Sequence, residues 1–455
     1  TNPPTFTLDV FKGDTTYRVT DDSAPVAVVV SGSDTFAMAW GGTDEDSIES
    51  MAQTSDGGYI TTGKSQSNLS GVNDMFIAKY DSNLNLTWNN TWGGTSEDRA
   101  NSIKQTSDGG YIVAGWTYSF GVGGWDSFLV KYDSSGNVVW NKTWGGPGMD
   151  RADSVAQTAD GGYIVSGTYA INGGDSYIAK YDSDGNIVWN KTWGGSEFDE
   201  GSSVIQTSDN GYMVTGTTNS FGGGYMQLFL IKYDSDGNMS WNNVYSGLDY
   251  TSSESIVQTS DGGYAIAGSV SGSGVNAGGC DTLLAKFNSS GNLTWDAAWG
   301  SEGDDSANSV VQTSDGGFAI TGNTTLFDEY DMIIIKYDSG GVISWKNTFG
   351  NTSDDTNEDG NSIVQTIDGG YTIGGHTDLM GAQGIDSLMV KFSSSGTISG
   401  CPAQICQTPA GVTSSPSGTT MSPSATITTP SITATAPSAT IGTISGTATT
   451  VVSPQ

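Results

Sequence analysis

An all-β ring of seven four-stranded blades is the fold this sequence predicts, on three observations. The first is a repeat: the phrase Gln-Thr-x-Asp-(Gly/Asn)-Gly begins at Gln53, Gln105, Gln157, Gln206, Gln258, Gln312 and Gln365, at intervals of 52, 52, 49, 52, 54 and 53 residues. Such periods mark supersecondary units that bury their faces by stacking. The second lies inside one unit, residues 153–195. DSVAQT, GYIVSGT, DSYIAKYD and NIVWNKTW, rich in Val, Ile, Tyr, Trp and Thr, are separated by turn signals such as ADGG and DSDG. No ten-residue stretch has helical periodicity, and four strands per unit make a propeller blade. The third concerns closure. The seventh unit ends its third strand at SLMVKF and its fourth collapses to GTISG, whereas DTFAMAWGG at 34–42 reads as a spare fourth strand. The N-terminal strand is therefore predicted to complete the last blade and remove the open edges. This divides the chain into an N-terminal β segment (1–33), a seven-bladed propeller (34–400), and a Cys loop with a Thr/Ser/Pro-rich tail (401–455).

Composition narrows the partners. The chain has 455 residues with 65 Gly, 14% charged residues and a formal net charge of −33. A surface this acidic disfavours nucleic acid and anionic membranes and favours cations. No 18-residue apolar run predicts a span of the bilayer. The opening TNPPTFTLDVF has no basic and apolar leader regions, as expected of a cytosolic protein or of a secreted one already processed. Sequons at Asn68, Asn85, Asn89, Asn141, Asn190, Asn238, Asn288, Asn292, Asn323 and Asn351 point to the second, an extracellular glycoprotein. Of three cysteines, Cys401 and Cys406 can close a small disulfide loop, with Cys280 left over; three plain thiols are the alternative.

Comparing the seven copies separates scaffold from candidate site. Trp88, Trp140, Trp189, Trp241, Trp295 and Trp345 share one fourth-strand position, closed by Phe36; Trp40, Trp92, Trp144, Trp193 and Trp299 share a second, with Tyr245 and Phe349 substituting. Aromatics repeated this way are packing between sheets. Lys79, Lys131, Lys180, Lys232, Lys286, Lys336 and Lys391 recur as well, which predicts structural ion pairs or blunted strands.

Here the sequence resembles the seven-bladed β-propeller repeat of secreted and cell-surface bacterial and archaeal proteins. The matching pattern is Trp-Gly-Gly-x3-Asp, Asp-Gly-Gly-Tyr, Gly-x-Thr, then a Lys-Tyr-Asp-x2-Gly segment, over about residues 34–399. YDSDGNIVW is also similar, more weakly, to the blade motif of quinoprotein propellers, whose ligands this chain does not visibly supply. The resemblance implies a propeller and an extracellular location, and brings no reaction.

Strand order puts the loops joining strands 2 to 3, and strand 4 to the next blade, on one face, where the copies vary. That face is acidic. Asp46, Asp98, Asp150, Asp199, Asp305 and Asp355 stand six residues after the second aromatic, with Thr251 in the fifth copy. Either they cap backbone N–H groups in turns, or they help to bind calcium; the best calcium candidate is the seventh-copy loop with Asp354, Asp355, Glu358 and Asp359. Trp116 and Trp125 are the only tryptophans outside the two packing positions. With Tyr118, Phe120, Phe221 and Tyr225 they form an aromatic patch for sugar or protein, or fold over their own blades.

No catalytic set emerges. His376 is the only histidine and occupies a position held elsewhere by Lys64, Trp116, Thr168, Thr217, Ser269 and Asn323, so no Ser-His-Asp or Cys-His arrangement can be assembled. Paired carboxylates for glycoside cleavage are the remaining enzymatic reading. At the N-terminus TFTLDVF, TTYRVT and PVAVVV read as two or three further strands; at the other end residues 408–455 read either as a stalk or, being β-prone and uncharged, as strands that add to another sheet. The expectation is a non-catalytic extracellular propeller, requiring no cofactor, that self-assembles with its own copies through its termini. A binding module for glycans or cell-surface proteins comes second, a carbohydrate-active enzyme third.

Overall fold

The computed structural model describes residues 8–12, 15–19, 35–41, 44–66, 72–170, 173–223, 225–246, 248–272, 278–326, 329–350, 357–378, 384–399, 401, 405–416, 419–421, 426–428 and 440–442. Seven antiparallel sheets make the seven blades of a β-propeller. Blade 2 is typical, with Asp98–Gln105 innermost, then Tyr111–Thr117, Asp126–Tyr132 and the outer strand Val138–Trp144. In blade 5 the inner strand is split into Tyr250–Thr251 and Ser255–Gln258. Blade 7 consists of Glu358–Gln365, Tyr371–Thr377 and Asp386–Phe392, with Phe36–Trp40 as its outer strand, paired from Phe36↔Lys391 to Trp40↔Ser387.

The repeated phrase is the machinery that holds blade to blade. In blade 1 the Thr54 hydroxyl and the Gly58 N–H both donate to Asp56 Oδ1, at 2.5 and 3.0 Å, while Gly57 takes φ 83°, a turn that favours glycine. Lys79, 5% exposed, reaches the same aspartate at 3.0 Å and the Tyr80 carbonyl at 2.8 Å. The seven recurrent lysines are thus structural ion-pair partners of the turn aspartates in all seven blades. The phrase's glutamine reaches back to the preceding blade: Ser55 N–H donates to Gln105 Oε1 at 2.8 Å, and Ile367 N–H of blade 7 donates to Gln53 Oε1 of blade 1 at 3.2 Å. Inner-strand serines add a second seam, with Ile103 N–H on Ser50 Oγ and Met51 N–H on Ser362 Oγ, both at 3.2 Å. A buried N–H left without such an acceptor would be costly, so these side chains fix the spacing between sheets.

Apolar packing fills the gaps between blades. Trp92, Trp144, Trp193 and Trp299 are fully buried, whereas the first-position tryptophans lie over the next blade's second-strand aromatic, as Trp140 does over Tyr163 with ring centroids 5.7 Å apart.

Six of the seven junctions also bury a pair of acids. A Cβ on Gly93 would stand 2.0 Å from Asp74 Oδ1 and 2.7 Å from Asp98 Oδ2, so the first glycine of Trp-Gly-Gly is there to make room for two carboxyl groups. The same triad recurs as Gly41/Asp386/Asp46, Gly145/Asp126/Asp150, Gly194/Asp175/Asp199, Gly300/Asp281/Asp305 and Gly350/Asp331/Glu358. Where the blade 4–5 junction has Gln227 and Thr251 instead of the acids, Ser246 replaces the glycine. Asp98 caps its turn as one of the two sequence readings has it, accepting Gly94 N–H at 2.8 Å and Ser119 Oγ at 2.7 Å.

The seventh member of this ring differs from the sequence assignment. Asp355 lies outside the described residues, and the equivalent position is filled by Glu358, whose N–H donates to Tyr330 O at 2.7 Å just as Asp98 N–H donates to Asn73 O at 2.8 Å. Three extra residues after Phe349 displaced the count.

Leu8–Lys12 and Thr15–Val19 form a separate two-stranded hairpin, while PVAVVV lies outside the described residues. Cys401 and Cys406 form a disulfide, and Cys280 is free. The described tail strands, expected on another copy or in a stalk, lie on the outer edges of the chain's own blades 6, 5, 4, 3 and 1. Those edges offer unpaired N–H and C=O groups, and a tethered segment meets them at high effective concentration.

Candidate functional site

Inner strands surround a central channel enclosing about 480 Å³. What faces the lumen is decided by a β-bulge. In blade 3 the register jumps from Ala152↔Gly167 to Ser154↔Ser166, leaving Asp153 as the extra residue, and the same shift occurs in blades 1, 2, 4, 6 and 7. A bulge bends the strand and re-aims its side chains. The glycine of Gly-x-Thr makes it possible, since a Cβ on Gly167 would stand 2.0 Å from Arg151 O.

The bulge positions, or their blade 5 equivalent, carry Glu49, Asn101, Asp153, Ser202, Glu254, Asn308 and Asn361 around the ring. Two positions earlier stand Ser47, Arg99, Arg151, Glu200, Ser252, Ser306 and Asp359. Two of the chain's three arginines are therefore in this channel. Arg99 pairs with Glu49 at 2.6 Å; Arg151 pairs with Asp153 at 3.0 Å and also with Glu200. Asn101 donates to Asp153 at 3.1 Å, tying blade 2 to blade 3. His376 stands 3.2 Å from Asp359, which also accepts Asn323 Nδ2 at 2.5 Å.

Three lumen groups are electrostatically distinct. Glu254 opens onto the lumen, but the ring confines its hydration and the Asp153 charge lies near; its carboxyl is pushed up to about 7. Asp153 is raised by burial, against the pull of Arg151. Lys104 stands where the other copies have Ala52, Ala156, Ile205, Val257, Val311 and Val364; its amine is lowered by the same confinement. Among the described residues it makes no ion pair or hydrogen bond.

Of the aromatic candidates, Trp116, Tyr118 and Trp125 come together at the variable mouth. Trp116 stacks on Trp125 with centroids 4.7 Å apart at 26°, and Tyr118 meets both edge-on at 6.3 and 5.8 Å. Trp116 is 7% exposed and pairs across the sheet with Arg99, so it backs the cluster, while Tyr118 is 44% exposed and presents it. Among the described residues the buried Trp125 indole N–H has no acceptor. Phe120 and Phe221 instead pack over Trp92 and Trp193, each at 5.3 Å, and Tyr225 is exposed and apart.

The calcium candidates do not converge among the described residues. Asp354 and Asp355 lie outside them, Glu358 is buried with Thr377 on its Oε1 at 2.8 Å, and Asp359 faces His376. Among the sequons, Asn85, Asn238, Asn288 and Asn292 are exposed, and Asn68 and Asn351 lie outside the described residues. Asn89 and Asn190 are buried in outer strands, which leaves no room for a glycan; Asn141 is half-buried and Asn323 is tied to Asp359.

The inner-strand residues Arg99, Lys104, Arg151 and Glu254 were missed in the sequence. For the three basic residues the signal was there, since each stands at a position that is small, aliphatic or acidic in most other copies; Glu254 shares its position with Glu49 and Asp153 and carried no such signal.

Fold and channel together define a seven-bladed β-propeller with a charged lumen. Solved structures with a similar fold include Sqt1 of Chaetomium thermophilum (12% identity, 77% of this chain and 96% of that one, TM-score 0.42). Others are a quinohemoprotein alcohol dehydrogenase of Comamonas testosteroni (10%, 80% and 75%, 0.41) and a protein of unknown function from Bacteroides caccae (12%, 64% and 93%, 0.38). These likenesses concern the fold alone. No protein-family model and no curated protein matches the chain.

Proposed function

We propose that this protein is an extracellular, non-catalytic binding module that takes the charged end of a glycan at the variable mouth of its channel. One observation carries the reading: Arg99, Lys104, Arg151 and Trp116, which depart from what most other copies hold at their positions, collect in one lumen with Glu254. A scaffold has no need of such asymmetry. Aromatic faces stack on sugar rings, while arginine and carboxylate groups in a confined space discriminate charged and hydroxylated ligands. The disulfide and the exposed sequons favour an oxidising, extracellular setting. Self-assembly through the tail is the weaker reading, because five blade edges already carry the chain's own strands.

The test is retention on an array of uronic-acid, amino-sugar and neutral oligosaccharides. The parent is expected to bind a charged class; Tyr118→Ala with Trp125→Ala weakens binding at least tenfold, and Arg99→Gln weakens it for that class alone. Failure to bind any oligosaccharide, or equal binding by the double variant, overturns the proposal; turnover of the bound oligosaccharide overturns its non-catalytic part.

A further inference from the structure

The C-terminal tail has a period of its own. From Ile405 the sequence repeats as ICQTPAG, VTSSPSG, TTMSPSA, TITTPSI, TATAPSA and TIGTISG, seven residues each, with Pro409, Pro416, Pro423, Pro430 and Pro437 at the fifth position. Four of the five described tail strands start on the first residue of a unit and Cys406–Gln407 on the second. Cys406–Gln407 pairs with blade 6, Val412–Ser414 with blade 5, Thr419–Met421 with blade 4, Thr426–Thr428 with blade 3 and Thr440–Gly442 with blade 1. The tail thus runs backwards around the ring. One unit separates neighbouring blades, and two units separate blade 3 from blade 1.

Register is the same wherever it is seen. The first residue of a unit meets the residue after the second aromatic: Val412↔Gly300, Thr419↔Ser246, Thr426↔Gly194 and Thr440↔Gly93. The second residue meets the aromatic itself, as in Thr413↔Trp299 and Ile427↔Trp193. In blade 6 Gly350 N–H donates to Ile405 O at 3.0 Å, so the first and third residues of a unit face the outer strand and the second turns its amide away. The fourth residue adds a side-chain bond: Thr408 donates to Asn347 Oδ1 at 3.0 Å, and Ser415 donates to Asp296. Proline then ends the pairing, since it has no N–H to give. Gly411 lies against Trp299, where a Cβ would come within 2.6 Å of the indole.

We propose that each blade's outer edge is an acceptor for one heptad unit, and that the described tail strands are units of a belt built to the blade period and interchangeable between blades. Seven extended residues reach about 23 Å, enough for three to pair and four to cross to the next sheet. The belt covers edges that would otherwise invite strand addition from other chains. It does so without charge, because its partner is backbone.

Amide exchange on the full chain tests this. In the parent, the amides of Gly300, Ser246 and Gly194, which face the first residue of a unit, are expected to be protected. Val412→Pro, Thr419→Pro and Thr426→Pro together should raise their exchange at least tenfold, whereas Thr413→Pro, Thr420→Pro and Ile427→Pro should change it less than threefold. Tryptophan fluorescence verifies that the ring stays folded in both. Deleting residues 419–425, one whole unit, should leave Ser246 protected, because the next unit moves up one blade. Equal behaviour of the two proline sets overturns the pairing, loss of Ser246 protection overturns interchangeability, and protection that falls on dilution places the units on a second copy.

Discussion

Thermal unfolding will occur at a higher temperature at pH 5 than at pH 8. The cause is the pair of acids at six of the seven junctions. Burial, reinforced by the neighbouring carboxyl of the pair, pushes Asp74 and Asp126 up to about 7 and Asp175 up to about 6, and burial alone pushes Asp331 up to about 6. Each holds its proton more tightly folded than unfolded. Stability is therefore greatest below the unfolded value near 3.8 and falls as pH rises through the folded value. At about 1.4 kcal/mol for each tenfold gain in proton affinity, Asp74 alone accounts for a loss on the order of 4 kcal/mol across that range. The turn aspartates act in the opposite sense: hydrogen bonds and the lysines hold Asp56, Asp108, Asp160, Asp209, Asp261 and Asp315 down at about 2, a contribution present above 3.8 and lost as pH falls toward 2. The maximum is expected between about pH 4 and 5. Asp74→Asn, a neutral replacement like the one the Gln227/Thr251 junction already carries, should raise the melting temperature at pH 8 and flatten the profile. A melting temperature that rises steadily from pH 5 to 8 would show that the junction acids are ionised in the fold.

Gly167→Ala is expected to destabilise the protein by about 3 kcal/mol, the upper end of the usual cost of overpacking, because the added methyl meets a backbone carbonyl that cannot turn aside. That carbonyl, Arg151 O, would be 2.0 Å from the new Cβ. Relief requires the bulge to flatten, and Asp153 would then leave its ion pair with Arg151. Denaturant unfolding measures the first effect, and binding at the channel mouth reports the second. Gly161→Ala is a useful comparison: its φ of 84° favours glycine, but its Cβ would meet nothing within 4 Å among the described residues. It should cost only about 1 kcal/mol, the penalty of the turn conformation. Equal losses from the two substitutions would show that the bulge is not what Gly167 protects.

Much of the scaffold was legible because it is local and repeated. Every residue of Gln-Thr-x-Asp-Gly-Gly has a partner either in its own turn or one blade away, so seven copies of one phrase announce seven blades. Lys79 and its six equivalents were readable as ion-pair partners for the same reason. The junction acids were half legible: Asp46, Asp98 and their kin stood out, but the aspartates that open the third strands were not recognisable as their partners. They lie about 24 residues away, as Asp74 does from Asp98, and only stacking of sheets joins them. Copy-counting failed at Asp355, because a three-residue insertion moves the cap to Glu358.

The sequence by itself determined the number of blades, the strands in each, the turns between them and the aromatic layers, since these follow from periodic patterning over a few residues. Tertiary structure alone decided two things. It decided which polar residues share the lumen, because a bulge changes the face on which Asp153 and Glu49 appear, and residues about fifty apart in sequence meet only when the ring forms. It also decided where the tail strands go: a seven-residue period has no meaning until blade edges stand at matching intervals around a ring.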